Sequence, residues 1–369
     1  MKKVCVVTAA RSEYGPLRWI IDEIYNSKEL ELQLVVTGSH LSPEHGNTVK
    51  FIEQDGYPIT KKVEYLLSTS TSNGIGKSMG CCGFSFSDVF SELNPDILIV
   101  LGDRYELLPI CSTALVMNIP IAHISGGDIT DGAIDNQVRN ALTMMSNIHF
   151  PGNEKSANNI IRMLGHNKHV YNVGEPGLDY FKRSLLMSRA ELSKSLNINP
   201  NVDWVLVTLH PETCESIEYN VSMAHNMIKA LLSYDDKEIV ITQSNADLGG
   251  VQINNVLTKY AHENEQIHFY SSLGQIRYLS FMNEASMVVG NSSSGILEAP
   301  SLGIPVINIG NRQRGRHMCN NIICCKNELN DILNAIKQSG VIFKQPDYYY
   351  GDGLTSFKIV KEILKFLNN

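Results

Sequence analysis

The chain has 369 residues, of which 43% are hydrophobic and 19% are charged, and its formal net charge is −7. This length predicts two domains, since single hydrophobic cores stop growing at about 250–300 residues, and the acidic balance argues against a nucleic-acid partner. No apolar run approaches the ~18 residues that cross a bilayer, and Arg11 and Glu13 end the first run too early for a signal peptide, so we expect a cytoplasmic protein without membrane contact.

The N-terminal half alternates short apolar runs, which predict strands, with helical patterns. In chain order we predict strands at Val4–Val7, Leu32–Val36, Asp96–Leu101 and Ile119–His123. The predicted helices are Leu17–Tyr25, Ser87–Leu93 and Ile134–Met145. Short apolar strands separated by helices indicate a parallel sheet that is covered on both faces.

The second half repeats this pattern. Its predicted strands are Trp204–Leu209, Glu238–Thr242, Met287–Val289 and Val306–Ile309, and its predicted helices are Met223–Leu232, Gly295–Ala299, Leu329–Lys337 and Ser356–Leu367. We therefore predict an α/β fold with two Rossmann-like domains, one at 1–172 and the other at 173–355, with the C-terminal helix 356–369 packing back on the first. Because such sheets bind ligands at the carboxyl ends of their strands, the interdomain cleft is the expected site.

Polar and charged residues follow the predicted strands at just these carboxyl ends. Each group has an ordinary explanation as a turn, a helix cap or a strand-end charge, but together they indicate a site. The groups are Arg11-Ser12-Glu13-Tyr14-Gly15-Pro16, Gly102-Asp103-Arg104-Tyr105-Glu106, His123-Ile124-Ser125-Gly126-Gly127-Asp128, Ile134-Asp135-Asn136-Gln137-Val138-Arg139, His210-Pro211-Glu212-Thr213 and Gly290-Asn291-Ser292-Ser293-Ser294-Gly295.

The last of these groups suits a diphosphate, because it offers hydroxyls and backbone N–H groups at a predicted helix N-terminus. Ser and Asn also favour that position as simple caps. Glu298, one turn on, could accept hydrogen bonds from ribose hydroxyls. A dinucleotide Gly-x-Gly-x-x-Gly pattern is missing after the first strand, so NAD is not expected. The eight cysteines have neither zinc nor redox spacing, so no metal is expected either.

Taken in order, these motifs resemble the hydrolysing branch of the UDP-N-acetylglucosamine 2-epimerase family, which supplies N-acetylmannosamine for sialic acid synthesis. Ser244-Asn245-Ala246-Asp247 and Asn308-Ile309-Gly310 with Arg312, Gln313, Gly315 and Arg316 extend the resemblance, which runs from residue 11 to residue 316. It implies a glycosyltransferase-B arrangement of the two domains, a UDP-sugar substrate and no cofactor. We also expect a homodimer or a homotetramer.

The resemblance further implies a mechanism in which UDP is eliminated across C1–C2 and water then adds with inversion at C2. Asp103 and Asp135 match the catalytic acids and His210 a histidine near the diphosphate, while Arg139 matches an arginine that could instead pair with Asp135, four residues earlier. The UDP-binding positions implied, most of them in the C-terminal domain, are Arg11, Arg104, His210, Asn245, Leu273, Ser292, Ser293, Glu298 and Arg312.

One position departs from this pattern. Many relatives carry glutamate two residues after the histidine of the His-Ile-x-Gly-Gly motif, where this chain has Ser125. Serine does not accept a proton unaided at neutral pH, so the C2 base must lie elsewhere. Asp128, Asp135 and Asp103 are the candidates.

Four alternative functions share part of this proposed fold, substrate class or mechanism. The same chemistry could act on UDP- or GDP-linked 2,4-diacetamido-2,4,6-trideoxyglucose of the legionaminic acid pathway. A non-hydrolysing epimerase usually reads His-Arg-Arg-Glu where this chain has His210-Pro211-Glu212-Thr213. A UDP-sugar glycosyltransferase would share the fold and require an acceptor, and a nucleotide-sugar sensor would bind without turnover.

Overall fold

The computed structural model describes residues 1–43, 46–67, 71–129, 134–233, 236–244, 249–341 and 345–368. The chain divides into two compact units, Met1–Lys182 with Gly351–Asn369, and Arg183–Tyr350. Across the described ranges, no helix is long and apolar enough to cross a membrane.

The first unit is a parallel sheet with helices on both faces. Its strands are β1 (Lys2–Thr8), β2 (Leu30–Thr37), β3 (Ile59–Val63), β4 (Ile97–Leu101), β5 (Ile121–Ile124) and β6 (Ile148–Phe150). Its helices, up to the unit boundary, are α1 (Arg11–Tyr25), α2 (Val49–Gln54), α3 (Ser72–Leu93), α4 (Leu107–Val116), α5 (Asp135–Met145), α6 (Glu154–Leu164) and α7 (Tyr180–Arg183). Short 3-10 turns lie at Gly38–Leu41 and Pro176–Asp179.

The second unit repeats this construction. Its strands are β7 (Asp203–Thr208), β8 (Lys237–Thr242), β9 (Ile267–Tyr270), β10 (Met287–Gly290), β11 (Val306–Ile309) and β12 (Ile322–Cys325). Its helices are α8 (Arg189–Leu196), α9 (Ile217–Leu232), α10 (Gly250–Glu263), α11 (Gly274–Glu284), α12 (Ser293–Leu297) and α13 (Leu329–Ser339), with a 3-10 turn at Ala299–Leu302. The last helix, α14 (Thr355–Asn368), belongs to the first unit.

Both sheets are parallel throughout, and their strand orders are the same when the second sheet is read from its opposite edge. The order is β3-β2-β1-β4-β5-β6 in the first unit and β12-β11-β10-β7-β8-β9 in the second. Successive strands are added toward one edge up to β3 and toward the other edge from β4, so the order switches between β1 and β4. The same switch lies between β7 and β10 in the second sheet. Doubly wound sheets bind ligands at such switch points. The predicted fold class, α/β with two Rossmann-like domains, is confirmed.

The central strands are buried on both faces, as strands of a covered parallel sheet must be. In β1, Val4 and Val6 face one core with α1 and α14, while Cys5 and Val7 face another with α3 and α4. Ile359 and Ile363 of α14 are fully buried in the first of these cores. Burial of that apolar stripe fixes α14 on the first unit.

Candidate active site

Asp103 and Arg139 form an ion pair at the carboxyl edge of the first sheet. Asp103 stands two residues after β4, and its carboxylate accepts a hydrogen bond from the Arg139 guanidinium on α5. Arg139 also donates to the backbone carbonyl of Asp128 at 2.7 Å. The Arg139 side chain is 7% exposed and that of Asp103 is 28% exposed. The cation is thus buried behind the carboxylate, which keeps a face open to a ligand.

His123, at the end of β5, holds the backbone that leads to Asp103. Its Nε2–H donates to the Gly102 carbonyl at 2.8 Å, and its Nδ1 accepts from the Thr143 hydroxyl at 3.2 Å. This tautomer follows from the carbonyl, which can only accept. Burial lowers the pKa of His123 to about 4, so the ring is neutral near pH 7. His123 therefore positions the site, a role that the motif alone did not reveal.

Asp128 and Asp135, the two other candidate acids, have different surroundings. The Asp128 carboxylate accepts hydrogen bonds from the Ser156 hydroxyl and, at 3.4 Å, from the Asn153 amide, both at the start of α6. Asp135 is the first residue of α5 and is partly exposed. No hydrogen bond or ion pair of its carboxylate is seen within the described ranges. Asp128 is thus tied to α6, whereas Asp135 is partly exposed, one helical turn before Arg139.

Glu175 lies beside Ser125 at the same sheet edge, and sequence reasoning did not find it. The Ser125 hydroxyl donates to the Glu175 carboxylate at 3.4 Å. The two residues are separated by about 50 positions in the chain, and Glu175 belongs to no motif that precedes or follows a predicted strand. Only the fold brings them together.

Arg11 and Arg104, both predicted to bind UDP, also lie near this edge. Arg11 opens α1, is exposed, and stacks its guanidinium over the Phe51 ring at 5.6 Å. Arg104 forms an ion pair with the buried Glu106. Glu13 lies nearby and accepts from the backbone N–H of Ala9 at 2.7 Å, and burial raises its pKa to about 7. The glutamate of the Arg-x-Glu-Tyr-Gly motif therefore fixes the turn between β1 and α1.

In the second unit, Asn291 cross-links the carboxyl ends of two neighbouring strands. Its amide oxygen accepts from the His210 backbone N–H at 2.7 Å, and its amide nitrogen donates to the His210 carbonyl at 2.8 Å. Its own backbone carbonyl accepts from Arg312 at 3.2 Å and from Gln313 at 2.8 Å. Asn291 is 1% exposed. It therefore ties the His210 backbone and the Arg312 side chain, two of the predicted diphosphate residues, to the same residue.

Glu212 anchors the loop that carries Arg312. Its Oε1 accepts from the Asn311 backbone N–H at 2.7 Å. Gly310 has φ +79°, and a Cβ there would lie 1.9 Å from that oxygen, so only glycine fits. The glutamate of the His-Pro-Glu-Thr motif is therefore structural in this unit.

The serine-rich turn leads into α12, as the sequence predicts. Ser292 caps the helix by accepting from the Ser294 backbone N–H at 3.4 Å, and Ser293 is its first residue. Tyr278 bridges the Ser294 hydroxyl at 2.5 Å and the Thr208 hydroxyl at 3.3 Å. Hydroxyl groups from α12, α11 and β7 thus converge at one edge of the sheet.

Glu298, Leu273 and Asn245 complete the predicted UDP set. Glu298 follows α12 directly, and burial raises its pKa to about 7. Leu273 is 3% exposed and precedes α11. Asn245 lies outside the described residues, so its role stays a prediction. Within the described ranges, no group of three or more His, Cys, Asp or Glu could hold a metal ion.

Known proteins share this fold and much of this sequence. A family model described as UDP-N-acetylglucosamine 2-epimerase matches residues 22–364. The GDP/UDP-N,N'-diacetylbacillosamine 2-epimerase (hydrolyzing) of Campylobacter jejuni is 37% identical over 338 residues, which cover 91% of this chain and 87% of that protein. The UDP-N,N'-diacetylbacillosamine 2-epimerase (hydrolyzing) of Legionella pneumophila is 30% identical over 369 residues, with coverage of 98% and 96%.

A solved structure extends the similarity to three dimensions. The UDP-GlcNAc 2-epimerase of Neisseria meningitidis, bound to UDP-GlcNAc, matches with a TM-score of 0.78 and 18% identity, covering 98% of this chain and all of that one. At this level of identity the likeness is one of fold.

Proposed function

The chain belongs to the UDP-N-acetylglucosamine 2-epimerase family, and we propose that it is a hydrolysing 2-epimerase of a nucleoside-diphosphate-linked 2-acetamido sugar. The observation that carries the proposal is the Asp103–Arg139 pair, a carboxylate held by a buried cation at the carboxyl edge of β4. Proton transfer at a sugar carbon requires a positioned acid–base group, and a carboxylate of this kind is one of the side chains that serve as one.

UDP- or GDP-linked N,N'-diacetylbacillosamine is the first candidate substrate, because two similar hydrolysing enzymes carry that name. UDP-N-acetylglucosamine is the second, because the matching family model is described by it. With the second substrate, the products are N-acetylmannosamine and UDP, which would feed sialic acid synthesis.

The reaction has two steps. The C2 proton passes to a carboxylate, the C–H electron pair forms the C1=C2 double bond, and the C1–O bond breaks so that the nucleotide leaves with its electron pair. Water then adds its hydroxyl to C1, and C2 receives a proton on the opposite face. Asp103 and Asp135 take part in these proton transfers, while His210 and Arg312 stabilise the negative charge that develops on the leaving diphosphate.

The test is proton NMR of the full chain with each of the three nucleotide sugars in deuterated water, without added metal or NAD. The expected products are the free nucleotide and a free 2-epimerised sugar that carries deuterium at C2. The ratio of kcat/KM values between the substrates identifies the preferred one. A product that stays nucleotide-linked, lacks the C2 label or forms only with an acceptor sugar would contradict the proposal.

Binding of UDP gives a separate prediction for Arg312, which belongs to the proposed diphosphate site. Arg312→Ala should weaken UDP binding by about 10–150-fold, since a charged hydrogen bond contributes roughly 1.5–3 kcal/mol. Gln313 still holds the Asn291 carbonyl in this variant, so the turn should keep its shape. Ser292→Ala should also weaken UDP binding, because it removes a hydroxyl from the proposed diphosphate site. Isothermal titration calorimetry measures both affinities.

Arg314 provides the matched control, because it is an exposed arginine two residues further along the same loop. Arg314→Ala should leave UDP affinity near the wild-type value. Equal UDP affinities in the Arg312, Ser292 and Arg314 variants would contradict the proposal that Arg312 and Ser292 bind the diphosphate.

A homo-oligomer is also proposed. Phe84 on α3 is 77% exposed, and Val116 and Leu115 on α4 are 77% and 48% exposed. Helices α3 and α4 pack together, since Gly83 faces Pro109 and Thr113. Large exposed apolar side chains on neighbouring helices are typical of a surface that another chain covers.

A further inference from the structure

The resemblance to the 2-epimerase family leads us to expect a proton acceptor at position 125, where this chain has serine. Ser125 directly follows β5 and has φ +58°, a left-handed conformation that is uncommon outside glycine. Its hydroxyl donates to Glu175 Oε2 at 3.4 Å. A carboxylate therefore lies next to the serine, supplied by a distant part of the chain.

Gly152 makes room for this carboxylate. A Cβ on Gly152 would lie 1.8 Å from Glu175 Oε1 and 2.4 Å from its Cδ, and the three nearest atoms all belong to Glu175. The backbone of Gly152 is outside the positive-φ region, so its conformation alone does not require glycine. Gly152 lies two residues after β6. Because it has no side chain, it leaves space for the Glu175 carboxyl group.

The segment that carries Glu175 is firmly held. The Glu175 carbonyl accepts from the Leu178 N–H at 3.1 Å, closing the 3-10 turn. Asp179, which is fully buried, accepts from the backbone N–H groups of Thr355 at 2.8 Å and Ser356 at 2.7 Å at the start of α14. A carboxylate on such a fixed turn is suited to a reaction that needs a set geometry.

Glu175 and Asp103 lie at the same edge of one sheet. Leu101 of β4 pairs with Ile124 of β5, so Asp103 and Ser125 follow paired positions on adjacent strands. Adjacent strands are ~4.8 Å apart. Inversion at C2 requires proton removal from one face and delivery to the other, and hence two groups. The Asp128 carboxylate is tied to the start of α6 by Ser156 and Asn153, whereas Asp103 and the Ser125–Glu175 pair lie at the ends of adjacent strands, which places them well for proton exchange with one sugar ring.

We propose that Glu175 is the catalytic residue that accepts the C2 proton in the elimination step, an inference that rests on the proposed function. The proton moves from C2 to a carboxylate oxygen of Glu175, the C–H electron pair forms the C1=C2 bond, and the C1–O pair leaves with the nucleotide. Ser125 orients the carboxylate through its hydroxyl. In the hydration step, Asp103 or Asp135 donates a proton to C2 on the face opposite to Glu175.

The test compares the two half-reactions in Glu175→Gln. Glutamine keeps the size of the side chain and an oxygen that can accept from Ser125, but it cannot accept a proton. Release of UDP from the nucleotide sugar should fall by ~100-fold or more. Hydration of the supplied glycal intermediate in the presence of UDP should continue close to the wild-type rate, because it requires no removal of the C2 proton.

Glu154→Gln is the matched control, since Glu154 is an exposed glutamate on the same unit at the start of α6. It should leave both half-reactions unchanged. Near-normal UDP release by Glu175→Gln, or equal losses in elimination and hydration, would overturn the inference while the proposed function stands. If the wild-type chain hydrolyses none of the three nucleotide sugars, both fall together.

Discussion

Asp103→Asn is expected to lower kcat by ~100-fold or more, while UDP affinity changes little. Asparagine keeps the size of the side chain and an oxygen that faces Arg139, but it cannot exchange a proton with the substrate. The exposure of the pair supports this assignment, since Asp103 keeps an open face and Arg139 does not. Steady-state kinetics and calorimetry with UDP separate the loss of chemistry from any loss of binding.

Asp55 offers a close control for this variant. Its carboxylate pairs with Arg18 at 2.9 Å, and its side chain is 24% exposed, against 28% for Asp103. Asp55→Asn therefore weakens an ion pair in the same unit at the end of α2, where Asp55 also accepts from the Tyr14 hydroxyl at 2.7 Å. It should lower the melting temperature at most and leave kcat near the wild-type value. Similar kcat values for the two variants would show that Asp103 acts only by holding Arg139.

The strands that the sequence predicted and those that it missed differ in their place in the sheets. All eight predicted strands are central, and they are confirmed within a few residues. The four that were missed, β3, β6, β9 and β12, are the edge strands of the two sheets. Central strands are buried on both faces and show as apolar runs, whereas an edge strand such as Ile59–Val63 carries exposed polar residues, Thr60 and Lys62.

Several helices were missed, among them α6, whose buried residues Ser156, Ala157 and Ile160 lie on one face, and α4, which has no such apolar stripe. The sequence of α4, Leu107–Val116, is apolar on nearly every side and contains Pro109, so it shows no helical period. For α1 the prediction began at Leu17, but the helix begins at Arg11, since Glu13 reaches back to the Ala9 and Ala10 N–H groups.

The candidate site could be predicted only as far as its residues follow strands. Asp103, His210 and Ser292 stand within three residues of the ends of predicted strands, so the parallel topology places them at the sheet edges. The partners of these residues were not predictable, because they depend on side-chain packing between distant segments. Arg139 was a possible partner of Asp135 by spacing along α5, but in the structure its ion pair is with Asp103. Glu175 reaches Ser125 only through the turn that α14 holds.

Asp135→Asn is expected to lower kcat by ~100-fold or more with little change in stability. Asp135 opens α5, where an acidic side chain favours the helix start by only about 0.3–1 kcal/mol. Because Arg139 pairs with Asp103, we do not expect the main role of Asp135 to be the orientation of Arg139, and we propose a role in proton transfer instead. Asp331→Asn is the matched control, since Asp331 is the first-turn acid of α13 in the other unit. Both variants should lose a similar, small amount of stability in thermal unfolding, but only Asp135→Asn should lose turnover. If Asp135→Asn retains most of its kcat, Asp135 serves the helix start alone, and the second proton-transfer group must be Asp103.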